Sequence, residues 1–244
     1  TVLFLLGTAP VVAASHTKVS LLLSTESAAP GTTLYAGVLL EMESGWHTYW
    51  VNPGDAGAAT EIRWQLPAGV TAGETQWPVP EKFSVSDVFT YGYHDRVMLL
   101  VPLRVSEQVA AGRLELRAKV SWLECSELCL PGSTLVSATL TIGSTVAPAA
   151  PASWLKEWES KLPSTNAAPL LRSTWQPGAS ADERLLTVEG KNWAKRTELD
   201  FLPFPSPDID VAAATERPPS GNADSWFRKR CKRLPDAWPT AIPG

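Results

Sequence analysis

The sequence predicts an all-β protein: an antiparallel sandwich followed by a partial second β-sandwich-like module. Three observations lead there. Short apolar or alternating segments recur at regular spacing, Pro and Gly clusters separate them, and no long stretch repeats with the 3.6-residue period of an amphipathic helix. The 244-residue length and ordinary apolar fraction allow one large or two small domains with a buried core. A formal net charge of −4 gives no electrostatic footprint for nucleic acid.

Taken in order, Val2 to Gly7 is a short apolar run leading through Pro10 to the small residues Ala13, Ala14 and Ser15. Residues 1–15 therefore read as the remnant of a secretory signal peptide whose Met and basic start are missing, with cleavage after Ala14 or Ser15. Export would place the protein where thiols can be oxidised. No later stretch reaches the ~20 apolar residues of a membrane-spanning helix.

Residues 16–146 form the first domain. Strands are expected at Lys18 to Thr25, at Thr33 to Glu43 after the Ala29-Pro30-Gly31 turn, and at Ile62 to Leu66 before Pro67. Further strands follow at Val97 to Val105, Arg113 to Trp122 and Leu135 to Ile142. Residues 147–152 read as a stiff Pro/Ala linker. Behind it, residues 153–244 form an apparently incomplete module: a helix capped by Ser153 and ended by Pro163, strands at Leu185 to Val188 and Thr197 to Leu202, and a poorly ordered tail. In that tail a basic run surrounds Cys231, which alternatively reads as an anion contact or a thiol with a lowered pKa.

The chemistry concentrates between Trp122 and Gly132, where Cys125 and Cys129 lie four positions apart. An extended strand would hold their Cα atoms ~13 Å apart, and a disulfide needs them within ~7 Å. Pairing would require the chain to curl, with Pro131-Gly132 as the expected turn. So short a link removes only ~2 kcal/mol of chain entropy, a weak staple. The pair is either a redox switch, since exchange needs a nearby resolving thiol, or a small local disulfide without chemistry. Zinc is disfavoured because no second Cys or His pair stands at ligand spacing. Glu124 and Glu127 flank the cysteines, and no cation lies close in sequence. Their field is expected to disfavour the thiolate.

Other candidates are weaker. His47 and His94 are separate in sequence, so a copper site there is a minor reading. Trp46, Tyr49, Trp50 and Trp64 read as sandwich core before they read as a stacking surface. A hydrolase lacks its Gly-x-Ser-x-Gly elbow.

Three stretches carry a family resemblance: Gly45-Trp46-His47-Thr48-Tyr49-Trp50-Val51-Asn52-Pro53-Gly54-Asp55, Phe89-Thr90-Tyr91-Gly92-Tyr93, and Trp122 through Gly132. Over about Lys18 to Gly143 the chain resembles the N-terminal periplasmic domain of the DsbD family of thiol:disulfide interchange proteins, especially the branch that includes the copper-sensitivity suppressor ScsB. The resemblance implies an immunoglobulin-like sandwich in the periplasm, whose full-length relative is tethered to the inner membrane. It also implies a redox pair at Cys125 and Cys129, with Cys129 forming the mixed disulfide and Cys125 resolving it. An aromatic cap loop is implied at Phe89, Tyr91 and Gly92, with Asp87 near its acidic position. Displacement of that cap by a docking partner would switch on reactivity.

No cofactor is implied. The implied electron donors are a membrane-embedded domain and a thioredoxin-like domain of the same system, and the acceptors are periplasmic thioredoxin-like oxidoreductases. The spacing of three residues between the cysteines matches the ScsB-like branch, where better-known members have five. A reading from a different class remains beside this one: a non-catalytic periplasmic immunoglobulin-like binding module with a structural disulfide.

Overall fold

The computed structural model describes residues 15–85, 87–164, 171–190, 200–217, 225–234, 238–239, 241–242 and 244. The segment expected to be a signal peptide lies outside them, apart from Ser15. Within the first module run β1 (Thr17–Leu23), β2 (Thr25–Ala28), β3 (Thr33–Met42), β4 (His47–Gly54), β5 (Glu61–Gln65), β6 (Val70–Ala72), β7 (Glu81–Val85), β8 (Val88–His94), β9 (Arg96–Val105), β10 (Gly112–Cys125) and β11 (Cys129–Ile142). The short β12 (Ala147–Pro148) and helix α1 (Ala152–Glu159) follow.

One sheet has the order β1-β3-β9-β6 and the other β12-β2-β11-β10-β4-β8-β7, with β5 also on β10. Pairing is antiparallel except between β2 and β11. The two sheets form an immunoglobulin-like sandwich. Its core is filled by the period-two positions of facing strands, among them Val38, Leu40, Val97, Leu99 and Val101 against Leu116, Ala118, Val120 and Leu140.

The near-continuous apolar run of β9 is explained by burial on both faces. Val97, Leu99 and Val101 enter the sandwich, while Met98 and Leu100 point the other way, where α1 covers them with Leu155 and Trp158. Gly37 makes room for this layer: a Cβ there would stand 3.0 Å from Met98 Cγ and 3.5 Å from Leu155 Cγ. The helix expected to open the second module thus packs on the first. Its N-cap is Pro151, with no side-chain cap from Ser153. Ala147–Pro148 of the expected linker pairs with β2.

The second module is the sheet β13-β14-β16-β15, from β13 (Leu171–Pro177), β14 (Glu183–Gly190), β15 (Ile209–Val211) and β16 (Ser225–Arg233). Here the structure corrects the expected disordered tail. The basic run is an interior strand whose inward positions Phe227, Lys229 and Cys231 are buried between outward Arg228, Arg230 and Lys232. The expected strand at 197–202 falls partly outside the described residues, and Asp200–Leu202 is not strand.

Candidate functional site

The β10–β11 hairpin runs in continuous register from Gly112↔Ile142 to Cys125↔Cys129, and Ser126–Leu128 makes the turn. The curl needed to join the cysteines is this turn. Pro131 and Gly132, expected to provide it, lie inside β11 opposite Leu123 and Trp122. Gly132 is required there by close approach, because a Cβ would run into the Trp122 indole. Directly opposed residues on antiparallel strands stand ~4.5–5.5 Å apart. Cys125 and Cys129, with Cα atoms 4.2 Å apart, form a disulfide across the pair. The two sulfurs differ in access: Cys125 is 2% exposed, whereas Cys129 is exposed beside the open turn residues Ser126, Glu127 and Leu128.

Cys125 is paired with His47 on β4, and His47 with His94 on β8, so these side chains share the outer face of the sheet. Tyr49, two positions along β4, joins them. Its hydroxyl lies 3.9 Å from Cys129 Sγ and 3.3 Å from His47 Nε2. Phe83 of β7 packs edge-on against His47, with ring centroids 4.7 Å apart, and sits beside His94 at 4.6 Å. His94 in turn hydrogen-bonds Glu81 at 3.1 Å. Burial, and then the neighbouring His94, holds the His47 pKa at about 4, so its ring is neutral at pH 7. Burial also raises the Tyr49 pKa and keeps its hydroxyl protonated.

The expected site residues divide between two faces. Gly92 lies opposite Tyr49 on the outer face, where a Cβ would run into the Thr48 carbonyl and crowd the Phe83 ring at 3.3 Å. Asp87 is at the β7–β8 turn with φ 66°, in the left-handed region that Asp tolerates. Phe89 and Tyr91 alternate onto the opposite, inner face. There Phe89 stacks under Lys82 at 5.0 Å, and the Tyr91 hydroxyl meets Lys229 Nζ at 3.1 Å. The aromatic that β7–β8 brings to the cysteine-bearing face is therefore Phe83, beside Tyr49 of β4. The sequence pattern does not disclose this, because the face is set by where the hairpin turns.

Glu124 is also on the inner face, 1% exposed. Burial pushes its carboxyl pKa up, but hydrogen bonds from the Trp122 indole (3.0 Å), the His16 amide (2.9 Å) and Ser15 (3.1 Å) leave it lowered overall. It ties β10 to the start of β1 and does not turn toward the sulfurs. Glu127 is exposed in the turn. His47 and Tyr49, read from sequence as a lone histidine and core aromatic, are brought to the disulfide by the β4–β10 pairing. Their i, i+2 spacing was the available signal. Among the described residues no group of three His, Cys, Asp or Glu is placed to hold a metal ion.

Fold and site together define an immunoglobulin-like β-sandwich domain with a hairpin-tip disulfide, one sulfur open and one buried. The family model described as thiol:disulfide interchange protein DsbD, N-terminal, matches residues 19–141, and the chain belongs to that family. The crystal structure of the N-terminal periplasmic domain of ScsB from Proteus mirabilis is similar in fold, with TM-score 0.61 and 16% identity over 94% of this chain and 83% of that one. The major pilin subunit BcpA of Bacillus cereus aligns at TM-score 0.33 and 12% identity, over 52% of this chain and 40% of that one. No curated protein sequence matches the chain.

Proposed function

We propose that the chain is a periplasmic thiol:disulfide exchange domain. It receives two electrons from a membrane-embedded reductase and its thioredoxin-like domain, and passes them to disulfides of thioredoxin-like oxidoreductases. One observation carries this reading: the Cys125–Cys129 disulfide joins a buried cysteine to an exposed one at a hairpin turn. Exchange needs that asymmetry, because an incoming group reaches one sulfur while the second waits to resolve the mixed disulfide.

In the reduced domain the Cys129 thiolate attacks a partner sulfur. A new S–S bond forms, the partner's own S–S bond breaks, and the electron pair leaves on the partner's second sulfur, which takes up a proton. Cys125, as thiolate, then attacks Cys129 Sγ. This restores the internal disulfide and releases the partner's first sulfur as a second thiolate, which is protonated in turn.

The first test is the reduction potential of the pair, measured in glutathione or dithiothreitol buffers. A value between about −270 and −120 mV supports the exchange reading, and a pair still oxidised below about −300 mV makes the disulfide structural. Trapping gives the order of attack: Cys125→Ser is expected to accumulate a covalent complex with an oxidised thioredoxin-like partner, and Cys129→Ser is not.

A further inference from the structure

We propose that His47 is a positioning residue for the thiol chemistry: its Nε2–H donates to the hydroxyl oxygen of Tyr49, fixing that hydroxyl to donate to the Cys129 thiolate. This rests on the reading of the pair as redox-active and names a role for residues of the same site.

The geometry is a three-membered chain of contacts, His47 Nε2 to Tyr49 Oη at 3.3 Å and Tyr49 Oη to Cys129 Sγ at 3.9 Å. Both linking side chains are held from behind. The Tyr49 ring lies against Gly57, whose φ of 111° and lack of a Cβ make the space. The Tyr49 backbone also bridges to Ala59. His47 is wedged between its strand neighbours and the edge of Phe83. The groups facing it are Tyr49 on its own strand, the disulfide at the end of β10, His94 on β8, and Phe83 with Glu81 on β7, Glu81 being engaged with His94.

A thiolate only accepts hydrogen bonds. When Cys129 is reduced, the directions along the chain therefore resolve one way, with Tyr49 donating to sulfur and His47 donating to Tyr49. A neutral histidine with a proton on Nε2 does this without adding charge. A hydrogen bond to the charged form lowers a pKa, so the arrangement makes Cys129 the readier nucleophile and the better leaving thiolate. Tyr49 keeps its own proton while the sulfur exchanges bonds.

The experiment is the pH profile of iodoacetamide alkylation of Cys129 in the full chain carrying Cys125→Ser, with the modified cysteine located by peptide mass. Tyr49→Phe and His47→Phe are each expected to move the midpoint up by about one pH unit, equivalent to about tenfold slower alkylation well below the midpoint. His47→Gln, whose amide can still donate to Tyr49, is expected to recover most of the wild-type midpoint. Because His47 acts through Tyr49, adding His47→Phe to Tyr49→Phe is expected to change nothing further.

A wild-type midpoint in His47→Phe overturns the proposal, as does an equal shift whether or not Tyr49 has its hydroxyl. If His47→Phe does not fold, His47→Leu carries the same two outcomes. Alkylation reads thiolate character directly, so a structural potential for the pair would sink the exchange reading separately, without touching this result.

Discussion

At the residue scale, what a side chain does in this domain depends on which face of its strand it occupies. Cys231 sits amid cations in sequence, yet burial comes first and pushes its thiol up to about 12. The folded, reduced protein is therefore expected to titrate two thiols with a disulfide reagent at pH 8, and the third only after unfolding. Phe89 faces away from the disulfide, so Phe89→Ala is expected to leave the rate of reaction with a small disulfide unchanged, as measured by stopped-flow. His47 has a folded pKa of about 4 against 6.5 for the free side chain, so the unfolded chain binds more protons between those values. Stability should fall as pH drops through that window. Thermal melts at pH 7 and pH 5 are expected to show the loss, and His47→Gln to reduce it.

At the scale of elements, α1 is held to the sandwich by two buried side chains. Leu155→Ala is expected to cost about 2–5 kcal/mol, the range for emptying a buried leucine site, measured by urea denaturation. Strands β1, β3, β5, β9, β10 and β11 of the first module were legible from apolar runs or from period-two recurrence, as in Leu114, Leu116, Ala118, Val120 and Trp122, whereas β2, β4, β6, β7 and β8 were not expected from the sequence. The last strand of the second module was not legible either. Its inward positions hold Lys229 and Cys231 between arginines, and a hydropathy reading sees an unbroken basic run. Lys229 tolerates that position because Asp200 stands 3.0 Å away and the Ala213 carbonyl accepts from it at 2.8 Å. At the site, the cysteine pair was legible from spacing and resemblance. The partners His47, Tyr49 and Phe83 were not, because they arrive by strand pairing and by the register of the β7–β8 hairpin.

At the scale of the whole molecule, the two modules meet at the inner face of the β7–β8 hairpin. Asp200 accepts from Lys82 and Thr215, each at 2.8 Å, and Lys229 completes the node from β16. Phe204 lies against Trp50, and Asn52 donates to the Pro203 carbonyl at 2.9 Å. Burial, partly offset by Asp200, lowers the Lys229 pKa to about 8. Asp200→Asn would leave the buried Lys229 ammonium and the half-buried Lys82 ammonium without their carboxylate. It is expected to cost about 3–5 kcal/mol, the range for breaking a buried pair, and to give two tryptophan-fluorescence unfolding transitions where the parent chain is expected to give one.

The long ladder beneath the disulfide bears on recognition. Because the β10–β11 register continues to the cysteines themselves, cleaving the S–S bond leaves the backbone of the hairpin already specified by its neighbours. Oxidised and reduced domains then present a docking partner with nearly the same silhouette. In the proposed exchange, a partner that tells the oxidised form from the reduced one would have to sense the sulfur itself, and the direction of exchange would be left to relative potentials and not to a change of shape.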